Sequence, residues 1–110
     1  MSTSKKMEEL EFKVELLTSI VSLPDNSSFE AFALYEGLTR EQYEEIYDLL
    51  DRTRANLKLV RSEEFEREIY RIVPSRKDDY KFAEGIVVSF YMDGKYEDVY
   101  EAFKKDSMNI

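Results

Sequence analysis

Four carboxylates, Glu41, Glu44, Glu45 and Asp48, offer the densest chemistry in this chain of 110 residues. Spaced 3, 1 and 3 apart, they share one face of any helix that contains them. Hard oxygen ligands in such a group suit Mg²⁺ or Ca²⁺, which makes these residues the metal candidates. Acids near a helix N-terminus also favour the helix dipole and face water without any ligand, and that plainer role competes with the metal reading.

Two acidic pairs sharpen the metal reading. Glu8-x-x-Glu11 and Glu45-x-x-Asp48 have the local spacings of the ExxE and ExxD pairs that hold Mg²⁺ in all-helical nucleotide pyrophosphohydrolases of the MazG type. Here 33 residues separate the pairs, too many for that pattern, and no matching lysine or asparagine constellation follows. The chain has no histidine and no cysteine. It therefore lacks the commonest general base, the commonest zinc ligand, a thiolate nucleophile and any disulfide. Gly37, Gly85 and Gly94 are isolated, so no glycine-rich phosphate loop exists. Eight tyrosines could stack on bases, but most fall at or beside core-facing helical positions, where the ring packs and the hydroxyl reaches the edge. No catalytic residue, cofactor or assured metal ligand emerges.

Composition sets the frame for these residues. A hydrophobic share of 43%, with 14% aromatic, is enough for a packed core despite 36% charge, and it argues against disorder. The length suits one domain, 1–110, with residues 1–4 and 106–110 expected to fray. Net charge is −8, but residues 52–81 carry +3 and the remainder −11. An acidic body argues against nucleic acid as partner. It allows an alternative role as an acidic phage or host regulator that binds a basic protein surface. No apolar run is long enough to span a bilayer, and no signal-peptide core follows Lys5 and Lys6. The expected compartment is the cytoplasm, with no membrane partner.

The hydrophobic period is helical throughout, and glycine and proline are scarce, so the expected class is all-α with five to six helices. A first helix runs from Lys5 to Leu23 and stops at Pro24. Ser27 with Glu30 has capping-box spacing and opens a second, closed by Gly37 and Leu38. Thr39 with Gln42 has the same spacing and opens a third, drawn from Arg40 to Leu59, with Tyr43, Ile46, Tyr47, Leu50 and Leu57 inward. Ser62 restarts a fourth with Phe65, Ile69, Ile72 and Val73 inside, halted at Pro74. Asp78 is the expected N-cap of a fifth, Asp79 to Met92. Its Ile86-Val87-Val88 run is β-branched, yet it keeps helical period and has no partner strand. Gly85 there marks a close helix–helix approach. The last helix, Lys95 to Lys105, aligns Tyr96, Val99, Tyr100 and Phe103.

The first helix is unusual in having two apolar stripes. Met7, Leu10, Val14, Leu17 and Val21 step by 3, 4, 3 and 4, a heptad seam; Phe12, Leu16, Ile20 and Leu23 form the other. A surface helix of a small monomer needs one buried face. A helix with two either runs through a core or lies between its own chain and another. With so few residues to surround it the second is expected, so all nine residues are interface candidates, with a coiled-coil-like contact between copies. Which stripe lies between chains is open at this stage.

The stretches KMEELEFKVELLTSIV, FEAFALYEGLTREQYEEIYDLLD and FYMDGKYEDVYEAF, covering about Lys6 to Phe103, resemble the YhaI-like family of small proteins from Gram-positive, Bacillus-type bacteria and their phages. The resemblance rests on helix order, on Gly37-Leu38 before an acidic helix start, and on the Gly94-Lys95-Tyr96 turn; residues 58–78 match poorly. It implies a multihelical subunit that intertwines with others, a trimer by preference, and it brings no established activity and no catalytic residues. The expectation is a non-enzymatic homo-oligomer that acts by binding protein, with the Mg²⁺-dependent pyrophosphohydrolase as the alternative.

Overall fold

A computed structural model describes residues 3–56 and 61–108, with side chains through residue 106. The described residues are all-helical. Six α-helices follow in order: α1 (Thr3–Ser22), α2 (Ser28–Glu36), α3 (Arg40–Ala55), α4 (Ser62–Ile72), α5 (Tyr80–Met92) and α6 (Glu97–Met108), with 3-10 turns at Pro24–Asn26 and Pro74–Arg76. The β-branched run of α5 is helical. No helix among the described residues is long and apolar enough to cross a membrane.

Aromatic packing forms the centre. Phe29 of α2 is fully buried and stacks on Phe90 of α5 with ring centroids 4.1 Å apart. Tyr43 and Tyr47 of α3 close around Phe29 at 5.3 and 5.5 Å. Offset and edge-on rings are the favoured arrangements. Ile46, Leu50, Ile69, Ile86, Val87, Val99 and Phe103 extend this core with no accessible side chain to speak of. At Gly85, a Cβ would lie 2.9 Å from Cε2 of Phe32, so α5 and α2 approach where only a glycine fits without a shift.

The caps divide into local and distant ones. Thr39 accepts from the Gln42 amide at 3.1 Å and Gln42 Oε1 accepts from the Thr39 amide at 3.0 Å, a complete capping box on α3. At the end of α2, Gly37 is left-handed (φ 69°), Leu38 N–H donates to Ala33, and Leu38 is buried. This is the expected glycine-terminated close.

The Ser27–Glu30 box does not form. Asp93, just past α5, accepts from the amides of Ser28 (2.7 Å) and Phe29 (3.1 Å). A buried carboxylate takes the orphan N–H groups, and Glu30 turns inward. Asp106 does the same for α4, accepting from the Ser62 amide at 2.6 Å and its hydroxyl at 3.0 Å. Asp106 is thereby tied to the start of α4, and Thr3 and Ser4 lie in the first turn of α1. Residues 1, 2, 109 and 110 lie outside the described residues.

Other boundaries shift for identifiable reasons. The residue before a proline is pushed out of helical geometry, so α1 ends at Ser22 and Leu23 (φ −134°, ψ 64°) leaves the apolar stripe for solvent. Helix α3 ends at Ala55 rather than Leu59, and Leu57 falls outside the described residues; Leu49 joins Ile46 and Leu50 in the core instead. The N-cap of α5 is Asp79, whose Oδ1 accepts from the Phe82 amide at 3.1 Å, while Asp78 adopts a left-handed φ of 66°. Helix α6 starts at Glu97, because Tyr96 is also left-handed (φ 53°). The Tyr96 hydroxyl donates to Asp51 and its ring lies under the Arg54 guanidinium, 5.8 Å from the centroid, which holds that conformation.

Candidate interaction surface

Leucine, glutamate and lysine, all good helix formers, dominate α1, and neither glycine nor proline interrupts it. Its two apolar stripes lie about 140° apart on a regular helix. The chain uses one. Phe12 and Leu16 are buried, with the Phe12 ring edge-on to Tyr43 at 5.4 Å, and Ile20 is half-buried. Arg40 at the start of α3 pairs with Glu15 and lies 5.0 Å over the Phe12 ring. The Glu15 carboxylate raises the Arg40 pKa further above its ordinary value. These contacts fix the rotation of α1 about its axis. Phe12 and Leu16 thus belong to the chain's own core and not to an interface, and Leu23 belongs to neither stripe.

The other stripe faces outward. Met7, Leu10, Val14, Leu17 and Val21 are between 48% and 79% exposed, in a single file along the helix. A groove of about 480 Å³ lies beside the first three of them, lined by Met7, Leu10, Glu11, Val14 and Glu15. Isolated exposed apolar residues are ordinary on any protein; a contiguous file of five is the largest exposed apolar feature of α1 and the candidate for an interaction site.

The metal candidates do not assemble. Glu45 points to Arg71 of α4, 3.6 Å away. Glu41 borders a separate groove beside Thr39 and Arg40, and Glu41, Glu44 and Asp48 are exposed. Among the described residues no three acidic side chains gather to hold a metal ion, so neither the Glu41, Glu44, Glu45, Asp48 face nor the Glu8/Glu11 and Glu45/Asp48 pairs makes a centre. Residues set 3 and 4 apart on a helix share a face, but each carboxylate turns to water or to its nearest cation.

One acidic group has a role other than the one its spacing suggests. Glu30 is buried and accepts from the hydroxyls of Tyr43 (2.7 Å) and Tyr47 (3.2 Å). Burial, with the nearby Glu30 carboxylate, pushes both tyrosine pKa values up. Both phenols stay protonated donors. The capping-box spacing disguised this role, and no local signal reveals it. Tyr70 and Tyr96 are each pushed up to about 12, chiefly by burial and then by Glu66 and Asp51 respectively. The five tyrosines at positions 43, 47, 70, 96 and 100 pack against the core, while Tyr35, Tyr80 and Tyr91 are exposed, Tyr91 beside the Tyr100 ring at 4.3 Å.

No protein-family model, no curated protein and no solved structure matches the chain.

Proposed function

We propose that this protein is a non-enzymatic helical subunit that self-associates and acts by binding protein, with the exposed stripe of α1 as its contact surface. The observation that carries the reading is that stripe: five apolar side chains in heptad order, turned away from a chain that has already built its core from other residues. Apolar surface of this length lowers its free energy by leaving water, and a helix-in-groove or helix-pair contact is the usual way. The absence of histidine and cysteine from all 110 residues supports a role without catalysis. A cytoplasmic setting and kinship with YhaI-like proteins belong to the same proposal, and that kinship would favour three chains.

Light scattering on a sizing column, over a range of concentrations, tests it. The wild type is expected to run above monomer mass. Leu10→Asp with Leu17→Asp is expected to give a monomer with unchanged helix content, since both residues are exposed in the folded subunit. A wild-type monomer at every concentration, or a double variant that keeps the wild-type mass, overturns the assignment.

A further inference from the structure

Helix α1 carries more information than an apolar stripe, because its two edges differ in charge. With Met7, Val14 and Val21 at the first heptad position and Leu10 and Leu17 at the fourth, the residues that flank the seam are fixed. Lys6, Lys13 and Ile20 lie along one edge, and Ser4, Glu11 and Thr18 along the other. The subunit's own core lies behind the seam, on the Phe12 and Leu16 side, so a partner helix can approach without meeting it.

We infer that the occupant of this stripe is a second copy of the same chain, with its α1 parallel and in register, as a two-stranded helix pair and not the three chains that the family resemblance would favour. The inference rests on the function proposed above and names its partner. Charge decides the direction. In a parallel pair the basic edge of each helix faces the acidic edge of the other, and Lys6 meets Glu11 of the second copy twice across the dyad. In an antiparallel pair centred on Val14, like edges meet: Lys13 faces Lys13 of the second copy, Lys6 faces Ile20 and Glu11 faces Thr18, so the Lys6–Glu11 pairs are lost. Like charges in that position repel.

Shape decides the number. Valine at the first heptad position with leucine at the fourth packs best in two strands, because the β-branched side chain fits the parallel knob-into-hole geometry of a dimer. The groove beside Met7, Leu10 and Val14 is the hole that receives the opposing knobs. The seam from Met7 to Val21 is only about 21 Å long at 1.5 Å per residue. Such a short pair dissociates on dilution.

Because the chain has no cysteine, single-cysteine variants under mild oxidation report the geometry without background. Met7→Cys, Val14→Cys and Val21→Cys all replace exposed side chains and leave the core intact. The expected result is that each variant cross-links to itself, while a mixture of Met7→Cys and Val21→Cys gives no mixed product. Lys6→Glu should weaken association severalfold, and Lys6→Glu with Glu11→Lys should restore it. Val14→Cys sits at the centre and cross-links in either direction. Cross-linking there, with the two end variants joining only to each other, would overturn the parallel arrangement and leave self-association standing. An uncross-linked three-chain mass would overturn the two-stranded arrangement. No Val14→Cys product, together with a monomer mass, would overturn this inference and the proposed function together.

Discussion

Helices α1 and α5 are both rich in apolar residues, yet they use them in opposite ways. Thirteen residues of α5 bury six side chains: Phe82, Ala83, Ile86, Val87, Ser89 and Phe90. Twenty residues of α1 bury two, Phe12 and Leu16. The difference lies in the neighbours. Helix α5 packs against α2, α4 and α6, whereas α1 has α2 and the edge of α3 on one side only. Burial of a hydrophobic side chain contributes in proportion to the area it removes from water. The fold's stability therefore resides around α5, and what α1 leaves uncovered remains available for association.

The largest test of that contrast is in α5. Phe90 is fully buried between Phe29, Tyr47 and Tyr96. Phe90→Ala removes a large side chain from a packed site and should cost about 4 kcal/mol, read by urea unfolding. A loss under about 1 kcal/mol would mean that the aromatic centre is not close-packed in solution.

Next in size is the cap that ties α2 to the end of α5. Asp93→Ala leaves the amides of Ser28 and Phe29 without their acceptor inside the protein, and should cost about 2 kcal/mol. Asp93→Asn, which keeps one acceptor oxygen, should lose less than Asp93→Ala. Equal losses would show that packing, and not hydrogen bonding, is what Asp93 contributes.

The same residue shows where the sequence could be read and where it could not. Thr39–Gln42 and Ser27–Glu30 present identical local spacing, and only the first forms a box. Everything needed for the α3 cap lies within four residues. The α2 cap comes from Asp93, 64 residues beyond Phe29, and a charged acceptor with two oxygens displaces the serine. Glu30 does not reach back to the Ser27 amide; its carboxylate accepts from Tyr43 and Tyr47 instead.

Helix number and class, the glycine close of α2 and the inward face of α4 were legible for the opposite reason: each is periodic or local. The two stripes of α1 were legible too. Which one is buried was not, because the answer depends on where α3 places Arg40 and Tyr43.

Asp106 offers a smaller effect with a defined pH dependence. The Ser62 amide, then its hydroxyl, holds this carboxyl below its ordinary value of 3.8. A group whose folded pKa is depressed contributes stability that is complete above the unfolded value and disappears as pH falls through the folded one. Thermal midpoints measured from about pH 5 down to about pH 2 should fall less steeply for Asp106→Asn than for the wild type. Identical slopes would mean that Asp106 does not hold α4 in solution.

The smallest expected effect is also the one that separates the two faces of α1. Leu17 is 48% exposed and its neighbour Leu16 only 3%. In dilute protein, where chains are apart, Leu17→Ala should change unfolding free energy by less than about 0.5 kcal/mol, as surface substitutions do. Leu16→Ala at the same dilution should destabilise clearly, by about 2 to 3 kcal/mol. At high concentration the wild type gains stability from association by mass action, and Leu17→Ala should lose that gain. A penalty for Leu17→Ala that is constant with concentration would place Leu17 inside the subunit. The uncovered face of α1 would then be part of the fold, and its contrast with α5 would collapse.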